Sequence, residues 1–322
     1  MDLSIVIPMF NESENAESTL NRVEEALTSF KGIYEIIAVN DGSLDNTLEI
    51  LNKLAEKDGK LKIVSYPKNI GRGMALRKGF QESKGETVVS IDADLSYDPH
   101  YINDLVKTLK EEPDIDFVLA SPYMPGGGVQ NVPFHRLWVS KFGNKILRIA
   151  MPNRIYTSTG IFRAYRKKVL DSLEMESDGK EIHLEILSKA LALGYRVKES
   201  PAILTSRKRG KSKFKFKKTA ISHLVFSVFE KPMIIFGFIG LLTLVIGFLI
   251  GIYIAFLRFS GDLTPGRPLI IFALLLILGG FQILSFGFIA IQIVSLRKEI
   301  LRIQRGNLEL RKEISSSKGK RE

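Results

Sequence analysis

Ser4-Ile5-Val6-Ile7, running into Pro8-Met9-Phe10-Asn11-Glu12, is the stretch on which the fold turns. A short apolar run closed by turn-forming residues reads as a strand buried on both faces, because a half-solvated strand would alternate polar and apolar. The form recurs three times. Glu35–Val39 ends in Asn40-Asp41-Gly42-Ser43, Leu61–Ser65 leads to a glycine-rich turn, and Thr87–Ile91 ends in Asp92-Ala93-Asp94. Helical spacing fills the intervals. Glu14 to Phe30 sets Ala16, Leu20, Val23 and Leu27 on one face, with Asn11 or Ser13 as cap, and Asn46–Lys57 and Gly73–Ser83 follow. Strands alternating with helices predict an α/β domain with a mostly parallel sheet and right-handed crossovers. In such sheets ligands gather beyond the carboxyl ends of the strands. That edge is where Glu12, Asp41, Asp92 and Asp94 fall.

The rest of the chain has another composition. The 322 residues are 45% hydrophobic yet 25% charged, with mean hydropathy +0.07. The two averages are reconciled by segregation. No side chain is charged from 232 to 257 or from 269 to 296. Each run exceeds the roughly 20 apolar residues that cross a bilayer core. The chain opens on a strand-like segment rather than a signal peptide. The link between the runs carries only Arg258, Asp262 and Arg267, whereas Arg207 to Lys218 and Arg297 to Arg305 are densely basic. Basic residues near span ends favour the cytoplasm. The expectation is a C-terminal two-helix transmembrane hairpin in the cell membrane, with the soluble domain and both termini cytoplasmic. The net charge of +11 therefore reads as attraction to anionic lipid and not to nucleic acid, since bases and aromatics interleave only beside the membrane. The chain has no cysteine, so disulfide and thiol chemistry are excluded.

Acids from several loops meeting at one sheet edge repel one another unless a cation or hydrogen-bond donors join them. In Asp92-Ala93-Asp94 a single residue separates two hard oxygen ligands, a spacing suited to Mg²⁺ or Mn²⁺ on a diphosphate. Taken alone, the motif is equally a surface turn. Asn69-Ile70-Gly71-Arg72-Gly73-Met74-Ala75 opens a helix whose start could meet phosphate, and alone it reads as a glycine turn with a solvated arginine.

Together these segments resemble glycosyltransferase family 2. The resemblance rests on Ser4 to Glu12, Asn40-Asp41-Gly42-Ser43, Asn69 to Gly73 and Asp92-Ala93-Asp94, in that order and spacing. It extends through Ser121-Pro122-Tyr123 with Gly126-Gly127, Arg136 with Ser140 and Asn144, and Thr159-Gly160-Ile161-Phe162-Arg163. Glu185 and Arg207 to Lys213 complete it. Within the family the chain is similar to dolichol-phosphate mannose synthases and polyprenyl-phosphate glucose synthases. The resemblance implies a GT-A domain over 1–212, a juxtamembrane amphipathic segment over 213–231 and spans at 232–257 and 268–296. A basic tail over 297–322 follows.

It also implies roles. Pro8, Phe10, Glu12 and Asp41, with Gly71 and Arg72, would hold the nucleotide-sugar. Asp92, Ala93 and Asp94 would face its diphosphate, with Asp94, Asp92 and Ser96 as the metal set. Arg136, Ser140, Arg207 and Lys213 would receive a lipid phosphate, and Asp92, Asp94, Arg136 and Arg207 would carry catalysis. Three positions depart from the pattern: relatives usually have Gln at Ser96, Arg at Pro122 and Asp at Thr157. The implied activity is transfer of a hexose from GDP-mannose or UDP-glucose to dolichyl or undecaprenyl phosphate with inversion. A phosphomonoester with second pKa near about 6 needs no general base. The other reading is an inactive pseudo-transferase that binds nucleotide-sugar or scaffolds a membrane complex.

Two features lie outside that pattern. Lys213 to Phe229 reads either as an interfacial helix or as a basic linker. Ile293, Leu296, Ile300, Ile303, Asn307, Leu310 and Ile314 follow heptad spacing, consistent with a homo-oligomeric coiled coil or a surface-lying tail. A processive polysaccharide synthase would need a Gln-x-x-Arg-Trp segment, which is absent.

Overall fold

β1 (Leu3–Met9) is the spine of the sheet, pairing in parallel with β2 (Tyr34–Asp41) on one side and β4 (Thr87–Ser90) on the other. The computed structural model describes residues 1–131, 155–206, 232–261 and 268–318. Arg136, Ser140, Arg207 and Lys213, and the segment 213–231, lie outside them. β3 (Leu61–Tyr66) continues the sheet beyond β2, again in parallel. Beyond β4 come β5 (Phe117–Ser121), β7 (Arg163–Arg166) and β8 (Val197–Pro201), giving the order β3-β2-β1-β4-β7-β5-β8. Only β7 is reversed, antiparallel to both β4 and β5. The sheet is thus mostly parallel, as the alternation predicted, with one reversed strand that the pattern did not reveal. Among the described residues a two-stranded ribbon of β6 (Gly128–Gln130) and β9 (Ile203–Thr205) completes the strands.

Both faces of β1 are covered, which explains its unbroken apolar run. Ile5, Ile7 and Met9 meet Leu20, Val23 and Leu27 of α1 (Ala16–Leu27) in the core, along with Leu105 of α4 (Tyr101–Glu111). α2 (Thr47–Ala55) adds Leu51. On the other face α3 (Arg72–Glu82) lies so close to β1 that a Cβ on Gly79 would stand 2.3 Å from Val6 Cγ1. Each fully buried aliphatic side chain in such a core contributes about 2 kcal/mol. Two further helices, α5 (Lys167–Asp171) and α6 (Ile182–Ala192), follow β7.

α1 begins later than its periodicity suggests, and neither Asn11 nor Ser13 caps it. The Glu12 carbonyl accepts the amides of Asn15 and Ala16. Asn11, in the left-handed region at φ 51°, instead accepts from the Leu44 amide at 2.7 Å, and the Ser13 amide donates to Asp45. The turn after β1 is therefore fastened to the turn after β2.

The apolar stretches of the C-terminal helices form a second unit. α7 (Pro232–Phe259) holds a 25-residue apolar stretch, and α8 (Pro268–Lys318) one of 30 residues. At 1.5 Å per residue these reach about 37 and 45 Å, enough for a hydrocarbon core about 30 Å thick. Side chains such as Phe238, Ile252, Leu275 and Phe288 are exposed over both helices, which suggests membrane association. The two helices meet at glycines: a Cβ on Gly280 would lie 3.0 Å from the Gly240 carbonyl oxygen, and one on Gly247 3.1 Å from the Ile277 amide. Such close backbone approach is how helices associate where no hydrophobic force separates them from lipid. α8 runs on without a break through residue 297, where the basic tail was placed.

Candidate active site

The loops after β1, β2 and β4 come together at one sheet edge, but their acids do different things. Asp41 is buried, and its carboxylate is filled from within the protein. Oδ1 accepts the Ile70 amide at 2.9 Å and the Gly71 amide at 3.2 Å, while Oδ2 accepts Asn69 Nδ2 at 2.8 Å. It therefore shapes the 69–71 turn. Gly42, at φ 61°, has no room for a side chain, since a Cβ would strike the Asn69 amide at 2.4 Å.

That turn delivers Arg72, whose guanidinium lies 2.8 Å from Asp92 Oδ1. Loss of hydration pushes the Asp92 carboxyl up to about 6 despite Arg72, with Asp94 and Glu12 repelling the charge and Lys180 offsetting them. Asp94 sits one turn on, its Oδ1 accepting the Ser96 amide at 3.1 Å. Leu95 between them takes φ 53°, and the Ala93 carbonyl accepts the Thr19 hydroxyl at 2.7 Å, so the turn is pinned against α1. Glu12 accepts Asn15 Nδ2 at 2.7 Å, and its amide donates to Thr47 Oγ1 at 2.8 Å. Pro8, at the end of β1 opposite Val39, and Phe10 are partly buried.

The α3 amides are already engaged. The Asp178 carbonyl accepts from Gly73 at 2.7 Å and Met74 at 3.4 Å. A Cβ on Gly71 would stand 2.4 Å from that oxygen, and one on Gly73 2.1 Å from the Ser177 oxygen. These glycines exist for the passage of the 174–181 segment across the helix start. The Gly71, Gly73 and Met74 amides are thus bonded within the protein, while the Arg72 side chain extends to Asp92.

Residues 4–174 match the profile of Glycosyl transferase family 2. The chain belongs to that family. A dolichol-phosphate mannosyltransferase of Pyrococcus furiosus is 36% identical over 219 residues, 67% of this chain and 60% of that one. A glycosyltransferase of Synechocystis sp. is 31% identical over 295 residues, 90% and 89% of the two chains. Among solved structures, glucosyl-3-phosphoglycerate synthase of Mycobacterium tuberculosis, crystallised with Mn²⁺, UDP and phosphoglyceric acid, is 22% identical with TM-score 0.54. That match covers 70% of this chain and 77% of the synthase. A second crystal of the same synthase holds Mg²⁺ and UDP, at TM-score 0.53 and 22% identity over 70% and 78% of the two chains. The shared fold is the GT-A fold.

In this family 2 glycosyltransferase the Thr159-Gly160-Ile161-Phe162-Arg163 segment is internal scaffolding. Arg163 is fully buried and donates to three carbonyls, those of Gly160 at 2.6 Å, His183 at 2.8 Å and Ser158 at 2.6 Å. Glu185 accepts the amides of Glu176 at 2.9 Å and Ser177 at 2.8 Å and pairs with Lys189 at 2.6 Å. Burial would raise Glu185, but Lys189 and these amides outweigh it and hold the carboxyl below its ordinary range. Lys180 was missed by sequence reasoning. It belongs to no motif, and its one local signal is an Asp178-Gly179-Lys180 turn before a helix.

Proposed function

We propose that this chain transfers a hexose from a nucleotide-sugar, GDP-mannose or UDP-glucose, to a polyprenyl phosphate, dolichyl or undecaprenyl. A lipid phosphate oxygen attacks the anomeric carbon from the face opposite the nucleotide. The bond to the nucleoside diphosphate breaks with its electron pair on that leaving group, and the sugar inverts. The observation that carries this reading is the pairing of Arg72 with the Asp92-Ala93-Asp94 turn at the carboxyl edge of the sheet, where ligands gather in open α/β folds. The named activity of the Pyrococcus relative and the two apolar helices support a lipid acceptor.

The donor set fits a divalent ion bound together with a nucleotide. Among the described residues no group of three or more His, Asp or Glu is placed to hold a metal alone. Asp94 and Asp92, with Ser96 beside them, would supply hard oxygens, and the remaining positions would come from the diphosphate and water. When bound, the ion would offset charge on the departing diphosphate. Arg72 would orient the donor phosphates, and Glu12 and Asp41 would organise the nucleoside side of the crevice. Arg136, Ser140, Arg207 and Lys213 would receive the lipid phosphate beside the membrane. The basic flanks place the domain and both termini in the cytoplasm under this reading, and the heptads of α8 favour a homo-oligomer.

The test is transfer of label from GDP-mannose and UDP-glucose to polyprenyl phosphate in detergent, with Mg²⁺ or Mn²⁺. A labelled lipid that disappears with EDTA and in Asp94→Ala supports the proposal. Binding of nucleotide-sugar without transfer to any polyprenyl phosphate would favour the pseudo-transferase.

A further inference from the structure

The 174–181 segment is fastened at an unusual number of points for a surface connection. Arg77 donates to the Met175 carbonyl at 3.0 Å and pairs with the Asp178 carboxylate. Glu185 holds the Glu176 and Ser177 amides, and Lys189 reaches both Glu185 and the Glu174 carbonyl. Ser177 and Asp178 press on Gly73 and Gly71, on either side of Arg72, leaving no room for a Cβ at either glycine. Helices α3 and α6 thus clamp the strap from both sides, and the next residue beyond Gly179 is Lys180.

This geometry brings a second cation to the acid cluster. Arg72 reaches Asp92 from the helix beneath the strap, and Lys180 leaves the strap just past the point where it crosses that helix. The Cα of Gly179, the residue before it, lies 3.7 Å from where a Cβ on Gly71 would stand, so Lys180 leaves the chain beside Arg72. Its charge lowers the Asp92 carboxyl, while desolvation and Arg72 hold the ammonium below its ordinary value against Asp92 and Asp94. Residue 180 keeps an exposed surface although its ammonium is partly desolvated, so an incoming ligand can reach it. An aliphatic stem with a mobile three-donor head suits a partner whose charge is spread over several oxygens.

We propose that Lys180 is a donor-binding residue that, together with Arg72, contacts the diphosphate of the nucleotide, the 174–181 strap serving to hold it there. The assignment rests on the transferase reading for the identity of the ligand. A diphosphate entering between Arg72, Lys180 and the Asp92-Ala93-Asp94 turn would meet two cations on one side and the metal-binding acids on the other.

The experiment uses the full chain in detergent with Mg²⁺ and compares Lys180→Met and Lys180→Arg with wild type. The titrants are UDP, GDP, uridine and guanosine, followed by calorimetry. For the diphosphate that wild type binds, Lys180→Met should weaken affinity about tenfold, the size of one lost charge-assisted contact. Lys180→Arg should recover most of it, and nucleoside binding and the melting temperature should stay within error. Equal diphosphate affinity in Lys180→Met and wild type overturns the assignment and leaves the transferase reading standing. A loss shared equally by nucleosides overturns it too, since it reports a collapsed pocket. Failure of wild type to bind either diphosphate would sink both readings.

Discussion

Arg72 and Asp92 stand 2.8 Å apart, yet the Asp92 carboxyl is pushed up to about 6 because burial outweighs the guanidinium. At pH 7 Asp92 is mostly ionised, but a modest fall in pH returns its proton. Donor binding that needs ionised Asp92 should rise with pH through about 6. Arg72→Met removes the cation that lowers the group, so the inflection should move upward. Nucleotide binding measured against pH without lipid acceptor isolates this step from titration of the lipid phosphate. An inflection that stays in place in Arg72→Met would show that Arg72 does not govern Asp92. The stability sign is opposite. A carboxyl raised in the folded state favours the fold below its ordinary pKa of about 3.9, and that contribution is lost as pH rises through about 6.

Gly73→Ala should damage activity from outside the acid cluster. The added Cβ would meet the Ser177 oxygen at 2.1 Å, and backbone, not a flexible side chain, must give way. Overpacking of this kind costs about 1–3 kcal/mol. The displaced strap would also release the Asp178 carbonyl from the α3 amides. Transfer should fall at least about tenfold while a folded far-ultraviolet spectrum persists. Full activity in Gly73→Ala would mean that the strap has no part in catalysis.

Glu185→Gln tests the anchoring itself. Glu185 and Lys189 are 11% and 8% exposed at the side chain, so removing one charge strands the other. Breaking such a pair costs about 3 kcal/mol. The urea midpoint should drop accordingly. The lowered carboxyl contributes stability above its ordinary pKa, about 4.3, and that contribution disappears as pH falls through its folded value. A midpoint unchanged at pH 7 would contradict the geometry.

His183 is buried, neither ring nitrogen is hydrogen-bonded among the described residues, and burial together with Arg163, Arg72 and Lys180 holds it well below its ordinary value. Below about pH 6.5 the unfolded chain binds a proton that the folded chain refuses, so stability should fall with acid by up to about 1.4 kcal/mol per pH unit. Melting curves at pH 7 and 5 should show this most clearly in an Asp92→Asn background, where the opposing titration is absent. His183→Phe should flatten the dependence, and an identical acid loss would assign it to another group.

Thr157 and Pro122, two of the departures from the family resemblance, are 35 positions apart in the chain. Thr157 is buried, and its hydroxyl lies 2.7 Å from that of Ser121, next to Pro122. Glu199 accepts the Thr157 amide at 2.8 Å. Thr157 thus lies against the residue that precedes Pro122, joined to it by a hydroxyl pair.

Local patterns sufficed for β1 to β4 and for the helices between them. A strand buried on both faces must be apolar throughout, and a helix on a sheet must repeat its apolar face, so burial writes itself into sequence. The acid turns after the strands were legible for the same reason, since turn residues end buried runs. The two apolar helices were legible by length and composition alone. Tertiary structure decided what short-range pattern cannot encode. Asp41 and Asp92 look alike in sequence, but one is filled by the amides of residues 69–71 and the other faces Arg72. Gly71 and Gly73 read along the chain as a glycine turn at a helix start, and the fold adds that they leave room for Asp178 and Ser177. Lys180 carries no motif because its place depends on a strap held by residues up to about a hundred positions away. Charge at a site is set by which distant backbones come within a few ångströms, and only the folded chain fixes that.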